Sequence, residues 1–192
     1  KLPLGTATRV ELPSDGTRES RYLLCAPITT LNHLRFCTTH LTPKIADGHN
    51  RRQVNKVFQT LENYYERGDT VIVTGDFNTE PNAASMDAVY APGVNTPNNR
   101  NNHGNYRELD DNDAAHCRGY GQATGQYASG GACGNGRKID YIFVRANRVV
   151  WSANTPYTAS ARALNRNCGA GNNELCSDHR MLTGRVTVKI ER

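Results

Sequence analysis

The sequence has no apolar run approaching the roughly 18 residues of a membrane span, and no charged-then-apolar signal segment opens it. The chain is therefore expected to be soluble and, if exported, already processed. It has no internal repeat and no linker-like change of composition, so residues 1–192 read as one unit. Apolar residues make up 37% of the chain and mean hydropathy is −0.67. Apolar runs nevertheless recur at regular intervals, which predicts a globular protein with long polar loops and not a disordered one. Cysteine pairs at CxxC spacing and Cys/His sets at zinc spacing are both missing, which argues against a structural metal. Tryptophan occurs once, at Trp151 inside an expected strand, so the loops lack the aromatic cluster that a lipid surface would ask for.

Six cysteines are present, at 25, 37, 117, 133, 168 and 176. An even count in loop and edge contexts points to an oxidising compartment, and hence to a secreted protein. Nearest-neighbour pairing (25–37, 117–133, 168–176) costs the chain least, and Cys25 and Cys37 lie symmetrically about a turn, as in a hairpin. The alternative is six free thiols in a cytosolic protein. The net charge of +5 comes from residues 145–192, where eight Lys/Arg face three acids. Such a basic third favours a polyanionic partner, nucleic acid above all, although a solvated basic face would give the same count.

Strands are predicted over Ala7–Leu12, Tyr22–Ile28, Leu34–His40, Thr70–Thr74, Ile139–Val144, Val149–Trp151 and Leu182–Ile190. Val54, Val57, Phe58, Leu61 and Tyr65 recur at helical spacing, and Gly68 supplies the stop. Strand, helix and strand over 34–74 form a βαβ-like crossover. A short helix is expected over 83–90, and residues 91–138 read as Asn-, Gly- and Arg-rich loops. In HGNYRELDDND the acids alternate as in a calcium loop, but the EF-hand glycine and terminal glutamate are missing, so a solvated loop is expected.

Four segments carry polar residues to strand ends. Asp140 interrupts an apolar run, which is costly unless the carboxylate is paired; an imidazole, His40 or His179, is the natural partner. Backbone capping by Asp140 is the other possibility. Asp76 and Asn78 follow a β-branched strand at its carboxyl end, where ligand sites gather. They suit orienting a water beside Mg2+, or else form a plain Asx turn. Asp178-His179 sets a hard oxygen ligand beside a base.

In order, CTTHLTP, VIVTGDFNTEP, RKIDYIFV and CSDHRML resemble the endonuclease/exonuclease/phosphatase superfamily, which includes DNase I-like nucleases, and RESRYLLCAPI resembles its arginine-bearing strand. The resemblance implies an α+β fold, a four-layer α/β/β/α sandwich. It also implies hydrolysis of phosphate esters by in-line water attack, with Mg2+ as cofactor and Mn2+ or Ca2+ as alternatives. By motif, His179 would be the general base oriented by Asp140, and Asp178 and Asp76 metal ligands. His40 would bind a phosphate oxygen, Asp76 and Asn78 would position the nucleophile or leaving oxygen, and Arg21 would contact phosphate. The family's amino-terminal strands and metal-binding Glu segment find no match, so a missing segment, cut away or supplied as a second chain, is expected to complete the site. The isolated chain is expected to be weakly active or inactive. The substrate reading is a secreted nuclease acting on DNA ahead of RNA, with no stable membrane insertion. The alternatives are a phosphatase, a sphingomyelin-type phosphodiesterase, or a binding module without catalysis.

Overall fold

The computed structural model describes residues 2–125, 136–152, 156–162 and 177–191. Strands β1 (Thr8–Glu11), β2 (Tyr22–Pro27) and β3 (Leu34–His40) form an antiparallel meander. Helix α1 (His49–Glu66) then crosses to β4 (Thr70–Asp76), which pairs parallel with β3. Strands β5 (Tyr106–Glu108) and β6 (Asp140–Arg145) complete a six-stranded sheet in the order β1-β2-β3-β4-β6-β5. Further on, β7 (Val149–Val150), β8 (Thr158–Arg162), β9 (Met181–Arg185) and β10 (Thr187–Val188) form two antiparallel ladders, β7 with β10 and β8 with β9.

Alternation along the central strands divides the sheet's residues between two faces. Cys25, Cys37, Val71, Val73, Tyr141 and Phe143 point towards α1, whose Val54, Val57, Phe58 and Leu61 are buried against them. Each such side chain contributes about 1.5–3 kcal/mol by leaving water, so this face is the main store of stability. Phe58 and Phe77 belong to an aromatic cluster with Tyr106, Tyr141 and Phe143, at centroid distances of 4.7 to 6.0 Å. Opposite, Ile72, Ile142 and Val144 pack with Val149, Ala159 and Val188 of the two ladders in a second core. That cover stops short of β2 and β3, where Leu24 (44%) and Phe36 (36%) remain exposed.

The α+β sandwich is thus present as helix, large sheet and small ladders; among the described residues no second helical layer lies beyond the ladders. Four local expectations are corrected. Residues 83–90 form successive turns, with i to i+3 bonds such as Met86 N to Ala83 O (2.8 Å), where a helix was expected. Polar Asn82, Ser85 and Asp87 interrupt the sequence there, and Ser85 pairs with Thr79 (3.0 Å), which fits a turn better than a helix interior. The final strand is split into β9 and β10. Strands β5 and β8 were not expected, being short and built of polar or small residues. The solvated loop expected over HGNYRELDDND is instead buried at Tyr106, Glu108, Asp110 and Asp111, while the Asn-rich stretch before it is a loop as expected, with Asn99 and Asn102 buried and Asn99 Nδ2 donating to Gly119 O (3.0 Å).

The Cys25–Cys37 bridge forms, with the two residues directly opposite in the β2–β3 ladder. The expected bridges 117–133 and 168–176 involve Cys133, Cys168 and Cys176, which lie outside the described residues. No helix among the described residues is long and apolar enough to cross a membrane.

Candidate active site

Register assembles three of the four residues of the centre. His40 is opposite Asp76 in the parallel β3–β4 ladder, and Asp76 is opposite Asp140 in the antiparallel β4–β6 ladder. Paired residues of neighbouring strands project to the same side, so one row across three strands carries an imidazole and two carboxylates. His179 closes the row from the segment just before β9. Its Nδ1 lies 2.8 Å from Asp140 Oδ2 and its Nε2 3.8 Å from Asp76 Oδ2. His40 Nε2 stands 3.3 Å from the same Asp76 oxygen. Of the two partners open to Asp140, His179 is the one it takes, and His40 goes to Asp76.

The Asx turn at the end of β4 also forms, and it serves the site. The Asn78 N–H donates to Asp76 Oδ1 at 2.7 Å, which leaves Oδ2 to the two imidazoles. Asn78 adopts a positive φ of 51°, and its Nδ2 donates to Leu41 O (2.8 Å). Its amide therefore fastens the end of β3 to the end of β4, and its Oδ1 and second N–H remain for a ligand. Gly75 is required just before. Its φ is +148°, and a Cβ there would meet Thr39 O at 2.0 Å.

The charges oppose one another in a half-buried place. Burial pushes Asp76 up from the usual carboxylate range; the Asn78 N–H pulls it down, the Asp140 charge pushes up again, and the net shift is upward. For His179 burial acts downward, but the hydrogen bond and charge of Asp140, with the charges of Asp76 and Asp178, prevail and raise it. Ligand atoms of Asp76, Asp140 and His179 all lie within 4.8 Å of one another, a spacing that could hold a metal ion. Asp178 is exposed and stands outside that trio. Arg21 is engaged with Glu19 (2.7 Å) beyond the start of β2.

Sequence reasoning missed the residues that hold this row in place. Thr124 Oγ1 accepts the N–H groups of Ile139 (3.0 Å) and Asp140 (2.9 Å), while Thr124 O accepts Arg180 N–H (2.6 Å). One buried threonine thus ties the Asp140 strand to the His179 segment. From α1, Asn50 Nδ2 donates to Thr42 O (2.7 Å) and Phe77 O (2.8 Å), and Gln53 Oε1 accepts Thr42 N–H (2.8 Å). Lys138, fully buried, lies 3.4 Å from Glu108 and 3.5 Å from Asp110 and anchors the approach to β6. Burial pushes Glu108 up to about 7 against the pull of Lys138. Polar residues on a mainly apolar helix face were the one available signal, at Asn50 and Gln53.

Residues 1–179 match the model of the Endonuclease/Exonuclease/phosphatase family. The chain belongs to that family. Its fold is shared with solved structures at low identity. The human Nocturnin catalytic domain with bound sulfate anion is 15% identical, with a TM-score of 0.60, and the match covers 98% of this chain and 60% of that one. D. rerio TDP2 complexed with single strand DNA product is 19% identical (TM-score 0.61; 94% and 66%). The Bacteroides thetaiotaomicron mannosyl-6-phosphatase is 16% identical (TM-score 0.59; 97% and 67%). The chain thus spans roughly two thirds or less of these family structures. No curated protein sequence matches it. As a family member it carries the expected motifs on β3, β4, β6 and the approach to β9, the places where the row is built.

Proposed function

We propose that the row is a hydrolytic phosphoesterase centre acting on phosphodiester bonds of nucleic acid, DNA ahead of RNA, in a secreted protein. The observation that carries this reading is the 2.8 Å Asp140–His179 pair facing an Asp76 oxygen that is shared with His40. Asp140 accepts the Nδ1–H, which leaves Nε2 of His179 with a free lone pair directed at Asp76. That nitrogen takes the proton of an attacking water, and the raised pKa of the ring strengthens it as a base. Asp76 Oδ2 orients the same water. His40, with 60% of its side chain exposed, keeps Nε2 against Asp76 and can offer its other ring N–H, at Nδ1, to a phosphate oxygen as charge gathers there.

A divalent cation fits the residues present. Two carboxylates on neighbouring strands face each other across the row, and the charge of Asp140 raises Asp76, a repulsion that a cation would relieve. Asp76 and Asp140 would hold it, and Asp178, next to His179 in the chain but outside that trio, is a further ligand by motif alone. Mg2+ is the first choice, with Mn2+ or Ca2+ as alternatives, and when bound it would neutralise charge on the phosphate. The basic stretch 145–192 supports a polyanionic substrate, as does the DNA product in the TDP2 structure. The Cys25–Cys37 bridge supports an oxidising compartment.

The test is hydrolysis of supercoiled plasmid, bis(p-nitrophenyl) phosphate and p-nitrophenyl phosphate by the purified protein, with Mg2+ or with chelator. Diester cleavage that needs the cation and falls about 10²–10⁴-fold in His179→Ala is expected. Diester cleavage unaffected by that substitution would overturn the assignment. A preference for the monoester would favour the phosphatase reading.

A further inference from the structure

A second site stands at the far end of β6 from the catalytic row. A cavity of about 500 Å3 lies beside Ala146, while Asp140 begins the strand. At about 3.3 Å per residue the two are roughly 20 Å apart along the strand. Its floor is Val94 and Tyr157, both buried, and Arg107, Asn112, Arg118 and Trp151 form the wall and rim. The volume is within the range of small-ligand sites.

The walls are already fixed. Tyr157 OH donates to Asp111 Oδ1 (2.6 Å) and accepts from Asn112 Nδ2 (2.6 Å), and Arg107 Nη1 donates to Tyr157 OH (3.1 Å). Thr96 Oγ1 ties the opposite wall to Arg118 O (2.8 Å). Among the described residues no hydrogen bond takes up the Oδ1 of Asn112. Two groups on the rim stand out. Trp151 is 64% exposed, the most exposed large apolar side chain among the described residues. The Arg118 guanidinium is exposed and has no ion-pair partner among the described residues. Trp151 and Arg118 also border an adjoining cavity of about 410 Å3, so both can be approached from two sides.

We infer that this pocket binds a nucleotide unit, with the base stacked on Trp151 and the phosphate on Arg118. An indole offers a stacking face to any base, and a guanidinium matches a phosphate with two donors. With Arg107 and Arg118 against Asp111 alone, the lining carries a net positive charge suited to an anion. A free mononucleotide and one unit of a strand share this chemistry. The inference does not depend on the hydrolytic reading.

Trp151 is the single tryptophan of the sequence, so its fluorescence reports on the pocket. The purified protein is titrated with AMP, adenosine, inorganic phosphate, glucose and oligo(dA), and calorimetry follows the same titrations. AMP is expected to quench the emission saturably and more tightly than adenosine. Arg118→Ala is expected to weaken AMP about tenfold and leave adenosine unchanged, as loss of a charge-assisted bond requires. Trp151→Ala should weaken both by about five- to a hundredfold in calorimetry. Both rim residues are exposed, so neither change threatens folding. His179→Ala should bind as the wild type does. A tighter oligonucleotide would identify the unit as part of a strand, and equal affinity a free nucleotide. The inference fails if quenching does not saturate, if Arg118→Ala has no effect, if glucose competes with AMP, or if binding disappears in His179→Ala.

Discussion

Replacing Thr124 by valine removes one oxygen and keeps the side chain's shape. Thr124 is fully buried, and its Oγ1 accepts two backbone N–H groups, from Ile139 and Asp140. Valine would leave both without an acceptor, at about 1–3 kcal/mol for each buried donor. Asp140 is only partly buried, so its donor does not incur the full penalty of a buried one. The expected loss is therefore nearer the lower end, about 2–3 kcal/mol in total. Thr124→Ser is the control. It keeps the oxygen and loses a methyl group, which costs about 1 kcal/mol. Urea denaturation of both variants should place Thr124→Val below Thr124→Ser by about 1–2 kcal/mol. The activity loss should exceed what the unfolded fraction explains, because Thr124 O and Gly125 also pin the segment that carries His179. If the valine variant equals or surpasses the serine variant in stability, the hydroxyl is not the clamp described.

Gly75→Ala should cost more than about 3 kcal/mol in urea denaturation, because its Cβ would strike a backbone carbonyl at a φ hostile to side chains; a loss under 1 kcal/mol would refute the close approach. Lys138→Met leaves Glu108 and Asp110 buried without their ammonium partner, and a loss of about 3–5 kcal/mol at pH 7.5 is expected; a neutral or stabilising result would show that the pair is dispensable. Glu62 receives Tyr106 OH (2.7 Å) and Arg145 (3.0 Å), and although burial acts upward, these partners hold its carboxyl below the usual range. A lowered carboxylate stabilises above the unfolded value, near 4.5, and loses that contribution as pH falls through the folded value. Glu62→Gln should accordingly lower the melting temperature at pH 7, by about 1 kcal/mol in stability, and the gap to wild type should close below pH 4.5; a gap that widens on acidification would contradict the sign.

The elements that build the row were legible because they are long and strongly patterned. The β-branched run before Asp76 and the helical spacing from Val54 to Leu61 each appear as a strand and a helix at nearly the expected limits. Cys25 and Cys37 announced their ladder through symmetric spacing about a turn. The presence of His40, Asp76, Asp140 and His179 at strand ends was legible too, but their order in the row was not. Register decides that His40 meets Asp76 and that Asp76 meets Asp140, and register arises from whole-sheet pairing, while His179 reaches Asp140 from the segment before β9, bridged to Gly125. Strand β5 escaped notice because three residues in a polar loop carry no extended pattern, and it is fixed by pairing with β6 on one side and by the Tyr106–Tyr90 bridge on the other. The helix expected over 83–90 gave way to turns where polar side chains bond locally. Thr124 could not be seen at all: its bonds reach 15 and 16 residues along the chain, and nothing in its own surroundings marks it.

The central claim is that Asp140 and His179 act as one unit on a phosphate ester. A double-mutant cycle in kcat, with Asp140→Asn, His179→Ala and the pair together on bis(p-nitrophenyl) phosphate, tests it directly. Each single variant should be slow, and the double variant should fall short of the product of the two losses, since without the imidazole Asp140 has nothing left to orient and keeps only its part in holding a cation. Losses that multiply, or a wild-type rate in His179→Ala, would contradict the account.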